Sequence, residues 1–220
     1  LSEMAGQWAD WAAEWRELNR DFKTNLDGRL APDANEEYRI YQTLLACWPP
    51  NGAAPDEAFR QRLRDHVRKA VNEAKVNTHW FHPNEAWLEA CDRFITAMLT
   101  PETGGEFLAS FAPKAQRLAH LGLVNTLAQV ALKITSPGVP DLYQGCEGWN
   151  LSLVDPDNRG LIDWPAREKA AAAARETGWR GLLRNWKDGG VKLRLTHELL
   201  RFRRQHLALF QSGSYEPMMA

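Results

Sequence analysis

A chain of 220 residues with 44% hydrophobic residues is long enough to pack one domain, or a domain plus part of another, around an apolar core. Its 27 basic and 28 acidic residues nearly cancel to a net charge of −1, so the positive field of a nucleic-acid-binding protein is missing and no nucleic-acid partner is expected. No apolar run reaches bilayer length and no secretory leader pattern opens the chain, which leaves a cytoplasmic protein without membrane contact as the expectation. Cys47, Cys91 and Cys146 are odd in number, far apart and without a CxxC pair. They predict neither a disulfide framework nor a metal site, and read as buried thiols. The 10 Trp exceed ordinary usage. Indole rings fill helix-packing faces or stack on the CH-rich faces of sugars, and composition does not choose between the two.

In chain order, Trp8, Trp11, Trp15, Leu18 and Phe22 recur at steps of three and four and predict an amphipathic helix over 3–22. Asn25, Asp27 and Gly28 break it. A second helix carries Tyr38, Tyr41, Leu44, Leu45 and Trp48 and stops at Pro49-Pro50-Asn51-Gly52. Pro55 and Asp56 suit the first turn of a third, with Phe59, Leu63, Val67, Ala70 and Ala74 inward and an Arg/Lys-rich outer face. After a break at His79–Pro83, Asn84 caps a fourth helix with Trp87, Cys91, Phe94 or Ile95, and Met98 on its inner face. The residues 107–121 read as helical with a break at Pro113, and Asn125 as the cap of a short helix through Leu132.

The pattern then changes. Ser136-Pro-Gly-Val-Pro-Asp-Leu-Tyr-Gln-Gly145 holds too much Pro and Gly for a helix and reads as turn, short strand, turn. A loop rich in Asp, Asn and Gly runs to Asp163, followed by an Ala-rich helix from about Pro165 and another over roughly 193–209; Gly213, Ser214 and Tyr215 read as entry into a new strand. A lone strand leaves its backbone groups unpaired, so a mainly helical chain with one such strand points to partner strands elsewhere. With Leu1 at the start and a strand entry at the end, both ends read as cut, and a longer parent protein is expected.

The run from Asn125 to Glu147, centred on Pro137-Gly-Val-Pro-Asp-Leu-Tyr-Gln-Gly145, resembles the segment of α-amylase-superfamily enzymes that leads into the last strand of their (β/α)8 barrel. Asp155-Pro-Asp-Asn-Arg159 with Asp163-Trp164 resembles the loop after it, and 199–209 with Gly213 and Tyr215 resembles the closing barrel helix and the entry to a C-terminal β-domain. In the first half, Asn35-Glu-Glu-Tyr-Arg-Ile-Tyr-Gln-Thr-Leu-Leu45 with Trp48-Pro49, and Glu73-Ala-Lys-Val-Asn-Thr-His-Trp80 with Pro83-Asn84, look like the helical insertion of maltooligosyltrehalose synthases. Asp141 and Leu151-Ser-Leu-Val-Asp-Pro-Asp-Asn-Arg159 match that family better than ordinary amylases.

The resemblance implies a mainly α chain: a helical insertion over 1–122, the last strand, loop and closing helices of an incomplete (β/α)8 barrel over 123–211, and the start of a C-terminal β-domain over 212–220. It implies an enzyme that moves the reducing-end α-1,4 bond of a maltooligosaccharide to α-1,1 by intramolecular transfer, without a cofactor, through carboxylates on earlier barrel strands. No catalytic residue is then expected on this chain, whose partners would be the maltooligosaccharide and the remainder of the parent protein. Transfer without hydrolysis requires the cleaved glucose to be retained and water kept out. Lys75, Thr78 and Trp80, with Asn77, His79 and Asn84, offer a wall for that enclosure; the same residues would equally serve as a capping and hinge segment. Tyr143, Glu147, Asp155 and Arg159, with Gln144 and Asp157, follow the last strand and so fall on the active-site face of a barrel, or else simply hold their loop together. Two other functions fit the same residues: a non-catalytic helical module that binds a glycan or a protein, and another hydrolase or transferase of the superfamily.

Overall fold

The computed structural model describes residues 1–52 and 54–218. They fall into two compact units: residues 1–118 with 151–159 form the first, and 119–150 with the chain from Gly160 onward form the second. No helix among the described residues is long and apolar enough to cross a membrane.

The first unit is built on four helices and part of a fifth. Helix α1 spans Ala5–Leu18 and buries Trp8, Ala12 and Trp15, one face at steps of three and four; a 3₁₀ turn, Arg20–Phe22, ends the predicted stripe. The Asn25–Gly28 break is a β-hairpin that the sequence reading passed over. Strands β1 (Thr24–Leu26) and β2 (Arg29–Ala31) pair antiparallel with Leu26 opposite Arg29. Asp27 and Gly28 take φ of 52° and 84°, the left-handed pair a two-residue hairpin turn requires, and the Asn25 side chain accepts the Gly28 N–H at 2.8 Å.

Helix α2 (Ala34–Cys47) starts at a capping box in which Asp33 accepts from the Glu36 N–H while the Glu36 carboxylate accepts from the Asp33 N–H. Helix α3 (Glu57–Ala74) is capped by Asp56 and buries Phe59, Leu63, Val67 and Val71. Val71 takes the place expected for Ala70 and Ala74, because four-residue steps from Phe59 stay on one face. Helix α4 (Glu85–Leu99), capped by Asn84, buries Trp87, Cys91, Phe94, Ile95 and Met98 as its stripe predicted. These faces meet in one core, where Trp15 lies edge-on or tilted to Tyr41, Phe107 and Phe111 at centroid distances of 4.8–6.0 Å.

Helix α5 spans Pro101–Thr135 with a kink at Gly104, and the interruptions expected at Pro113 and Asn125 do not occur. Phe107, Phe111 and Ala115 are buried on one face around Pro113, and that packing outweighs the single backbone hydrogen bond a proline removes. The departure from helical backbone lies instead at Gly104 (φ −96°, ψ 17°), where the chain turns out of α4.

In the second unit, α6 (Trp164–Glu176) lies against α8 (Gly190–Gln205), with the short helices α7 (Trp179–Arg184) and α9 (Leu207–Ser212) completing it. The single helix expected over 193–209 is thus α8 and α9, separated at His206. Leu123, Ala174, Leu182, Val191 and Leu193 form its core. The Arg203 guanidinium donates to the Ile134 and Ser136 carbonyls (2.6 and 2.9 Å) and to that of Gly138, covering one carbonyl at the end of α5 and two in the turn after it. No strand forms at 136–145 or at 213–218: the Val139–Tyr143 stretch is irregular, and a strand is defined by a ladder that no described segment offers it. Cys47 and Cys91 are buried as expected, and burial pushes the Cys47 thiol up to about 12, but Cys146 is half-buried.

A Cβ at Gly104 would lie 2.0 Å from the Met98 carbonyl oxygen, whereas nothing lies within 4 Å of one at Gly105. Gly104→Ala should therefore destabilise by on the order of 1–3 kcal/mol or more, since backbone must move. Gly105→Ala should be neutral or stabilise by up to ~1 kcal/mol, because both glycines are helical in sequence but only one is sterically required. Urea denaturation of the two variants side by side checks the contrast.

Candidate functional site

The segment joining α3 to α4 carries three of the predicted site residues. Helix α3 ends at Lys75, which takes the left-handed conformation (φ 56°, ψ 29°) and turns the chain sharply. The next polar side chains go into the protein. Asn77 donates to Asp33 (2.8 Å) and Glu36 (2.9 Å) and accepts from Arg29, while the Trp87 indole N–H donates to the same Glu36 carboxylate at 3.0 Å. Thr78 is 4% exposed; its hydroxyl donates to the Asn72 side chain (3.1 Å) and accepts from the Asn84 N–H (2.8 Å). Both hydrogen-bonding roles of Thr78 are thus used inside the loop.

The apolar side chains of this segment go the other way. Val76, Trp80 and Phe81 are exposed, Phe81 to 88%. His79 and His82 flank the two aromatics with rings edge-on at 5.3 Å, and the His82 N–H donates to His79 Nδ1 at 3.3 Å. Buried polar groups and exposed aromatics reverse the usual partition and give a fixed turn that holds flat apolar faces in water.

The loop 151–159 belongs to the same unit. Arg62, on the outer face of α3, donates Nε to Asp157 Oδ1 (2.8 Å) and Nη2 to Asp157 Oδ2 (2.9 Å) and to the Leu151 carbonyl (3.0 Å). Lys69 donates to the Asp155 carbonyl at 2.7 Å. Asp155 and Arg159 form an exposed ion pair at 2.5 Å. The Arg159 guanidinium holds the Asp155 carboxyl below its ordinary value, and the Arg62 guanidinium does the same to Asp157. Asp155 and Asp157 are therefore anionic groups already engaged with arginines, which suits neither for general acid work.

Tyr143 and Glu147 lie in the second unit, in a turn closed by the Cys146 N–H donating to the Tyr143 carbonyl at 3.1 Å. Tyr143 is exposed and Glu147 half-buried. Behind the turn, Lys192 donates to the Gly148 carbonyl (3.0 Å) and lies over the Trp149 ring, whose N–H donates to the Trp186 carbonyl at 2.8 Å. Desolvation pulls the Lys192 amine below its ordinary value.

Of the predicted residues, the structure pairs Asp155 with Arg159, buries Thr78, and leaves Trp80 and Tyr143 exposed. Sequence reasoning missed Phe81, although it adjoins Trp80 in a break bounded by Pro83 and Asn84. It also missed Arg62 and Lys69, which read as solvated cations of an amphipathic helix and carry no local signal of a partner some 90 residues away. Among the described residues no group of three or more His, Cys, Asp or Glu side chains could hold a metal ion.

No family model matches the chain. It is 33% identical over 193 residues to proteins of two Mycobacterium tuberculosis strains, CDC 1551 and H37Rv, assigned as maltooligosyl trehalose synthase, an alignment covering 86% of this chain and 22% of theirs. Among solved structures, a maltooligosyl trehalose synthase superposes with a TM-score of 0.85 at 29% identity, over 100% of this chain and 28% of that one. A Sulfolobus tokodaii protein described as a hypothetical maltooligosyl trehalose synthase gives 0.80 at 31%, over 100% and 27%. The Arthrobacter ramosus maltooligosyltrehalose synthase gives 0.75 at 31%, over 96% and 25%. The chain thus has the fold of a mainly helical segment of a larger enzyme. It is homologous to one stretch of the maltooligosyl trehalose synthases and spans 22% of the length of the curated relatives it matches.

Because the folded Asp157 carboxyl sits below its ordinary value, its stabilisation is fully present above about pH 5 and is lost as pH falls through the folded value, below about pH 4. The fall in melting temperature between about pH 6 and about pH 3 should accordingly be smaller in Asp157→Asn than in the unaltered chain. Equal falls would mean the ion pair adds nothing to stability.

Proposed function

We propose that the chain is the part of a maltooligosyl trehalose synthase that walls in the cleaved glucose, and that the complete polypeptide converts the reducing-end α-1,4 bond of a maltooligosaccharide to α-1,1. The observation that carries this reading is the likeness to solved enzymes of that name over the whole chain, at a TM-score of 0.85. The loop between α3 and α4 gives it physical content. A transferase must keep a small neutral sugar from leaving and water from entering, and an aromatic face on a rigid turn contributes to both.

In this reading Trp80 and Lys75 face the sugar, with Thr78 fixing the turn behind them. Asp155 and Arg159, in the same unit as that turn, supply polar contacts to hydroxyls. The nucleophile, the acid/base and the stabilising carboxylate belong to barrel strands outside these residues, as in retaining glycosidases. The protein works away from membranes, in the cytoplasm, and the chemistry uses no cofactor.

The 220-residue chain alone should form no trehalose-ended product from maltopentaose; turnover above a mock preparation would show that the chemistry resides here. In the complete polypeptide, Trp80→Ala should raise free glucose relative to trehalose-ended product. An aromatic–sugar contact worth roughly 1–3 kcal/mol shifts that partition several-fold to a hundred-fold. The exposure of Trp80 makes the melting temperature a clean control: truncating a core Trp costs roughly 3–5 kcal/mol, whereas this one should cost little. A lower melting temperature with an unchanged product ratio would remove Trp80 from the wall.

A further inference from the structure

Loop 151–159 is separated from α3 by about 90 residues, yet two side chains of α3 hold it. Arg62 makes three hydrogen bonds to it, two to the Asp157 carboxylate and one to the Leu151 carbonyl, so one guanidinium ties both ends of the loop together. The same Asp157 Oδ2 also accepts the Leu153 N–H at 2.6 Å, which orders the turn from inside, and Leu153 packs on the first core. Lys69, seven residues and two turns further along the same face of α3, donates to the Asp155 carbonyl. The other arginines of α3 serve differently: Arg60 and Arg64 pair with Glu57 of their own helix, and Arg68 pairs with Glu85 and Asp92 of α4.

The Asp155–Arg159 ion pair lies within the loop and does not itself tie the loop to α3. It joins residues four apart within the loop, its side chains are 44% and 71% exposed, and such pairs contribute little. Hydrogen bonds from Arg62 and Lys69 of α3 reach Leu151, Asp155 and Asp157 of the loop. The Arg62 fork, by contrast, is bidentate and partly desolvated, with side chains 38% and 20% exposed.

We propose that Arg62, seconded by Lys69, is the positioning residue of the 151–159 loop: it acts through Asp157 and Leu151 to present Asp155 and Arg159 at one fixed place. This assignment rests on the reading of Asp155 and Arg159 as substrate contacts. A fork matters here more than a charge. Lysine at 62 keeps the cation but cannot grip two carboxylate oxygens and a carbonyl in one plane.

The test is residue-resolved amide exchange on the 220-residue chain. Arg62→Met and Asp157→Asn should each speed exchange across 153–159 by roughly tenfold or more while leaving 59–71 of α3 within about twofold. Arg62→Lys should fall between, and the double variant should be no worse than the worse single one, because both act through one contact. Asp157→Asn leaves every residue of α3 in place, so it remains informative if Arg62→Met folds poorly. Unchanged exchange at 153–159 in Asp157→Asn, or a rise spread equally over the whole first unit, overturns the assignment. Maltopentaose titrated into the unaltered chain, read from the Asp155 and Arg159 amide resonances, judges the substrate reading separately. Shifts that vanish in Arg62→Met but return in part in Arg62→Lys support positioning, and shifts that survive Arg62→Met intact overturn it. No shifts in the unaltered chain sink the substrate reading, and the exchange result then decides the tether.

Discussion

The first unit is organised around a carboxylate that water barely reaches. Glu36, 6% exposed, accepts hydrogen bonds from the Asp33 N–H, the Asn77 amide and the Trp87 indole N–H. Those donors come from the start of α2, the loop after α3 and the first turn of α4, and the Arg29 guanidinium of the hairpin lies over the Trp87 ring at 5.1 Å. A buried acid is costly unless its oxygens are filled, and here donors from three places must be in position to fill them. The next residue repeats the device on another face: Glu37, fully buried, pairs with Lys23 at 2.6 Å and accepts from the Tyr41 hydroxyl at 2.7 Å, tying α2 to the chain after α1. Removing either acid would strand several buried donors, which costs more than the net worth of the bonds themselves.

This arrangement decides what the loop between α3 and α4 can do. Asn77 and Thr78 are buried and spend their polar groups on the interior, while Asn84 caps α4, and the turn they brace leaves Trp80 and Phe81 exposed. In the proposed function a braced turn would lose little further entropy when an aromatic face meets a sugar, leaving more of the contact as binding or as exclusion of water. Loop 151–159 follows the same logic with the opposite chemistry: an internal tether leaves a polar pair outside.

Much of the first unit was legible because helical burial repeats at three and four residues whatever the helix packs against. The stripes Trp8-Trp11-Trp15 and Trp87-Cys91-Met98, and caps such as Asn84, are local signals. The hairpin was passed over: Asp27-Gly28 marks its turn, but two strands of three residues are too short to show an alternation, so the segment read only as a helix break. The continuous α5 was not: a proline and an asparagine argue locally for ends, and a weak preference of this kind yields to a face buried elsewhere. Among candidate site residues, Trp80, Asp155 and Arg159 were singled out through the resemblance, whereas Arg62 read as part of the solvated Arg/Lys-rich face of α3.

The sequence by itself determined most of the residues that turn inward along α1 to α4, the caps of α3 and α4, and the resemblance that predicts the family, because these are carried by spacing and by order. Only the tertiary structure decided which polar residues of the α3–α4 loop are spent on the scaffold, that Phe81 joins Trp80 in water, and that Arg62 reaches Asp157. The physical reason is distance along the chain: a hydrogen bond between residues 95 apart leaves no periodicity and no local composition to read, and exists only once the core has brought its two ends together.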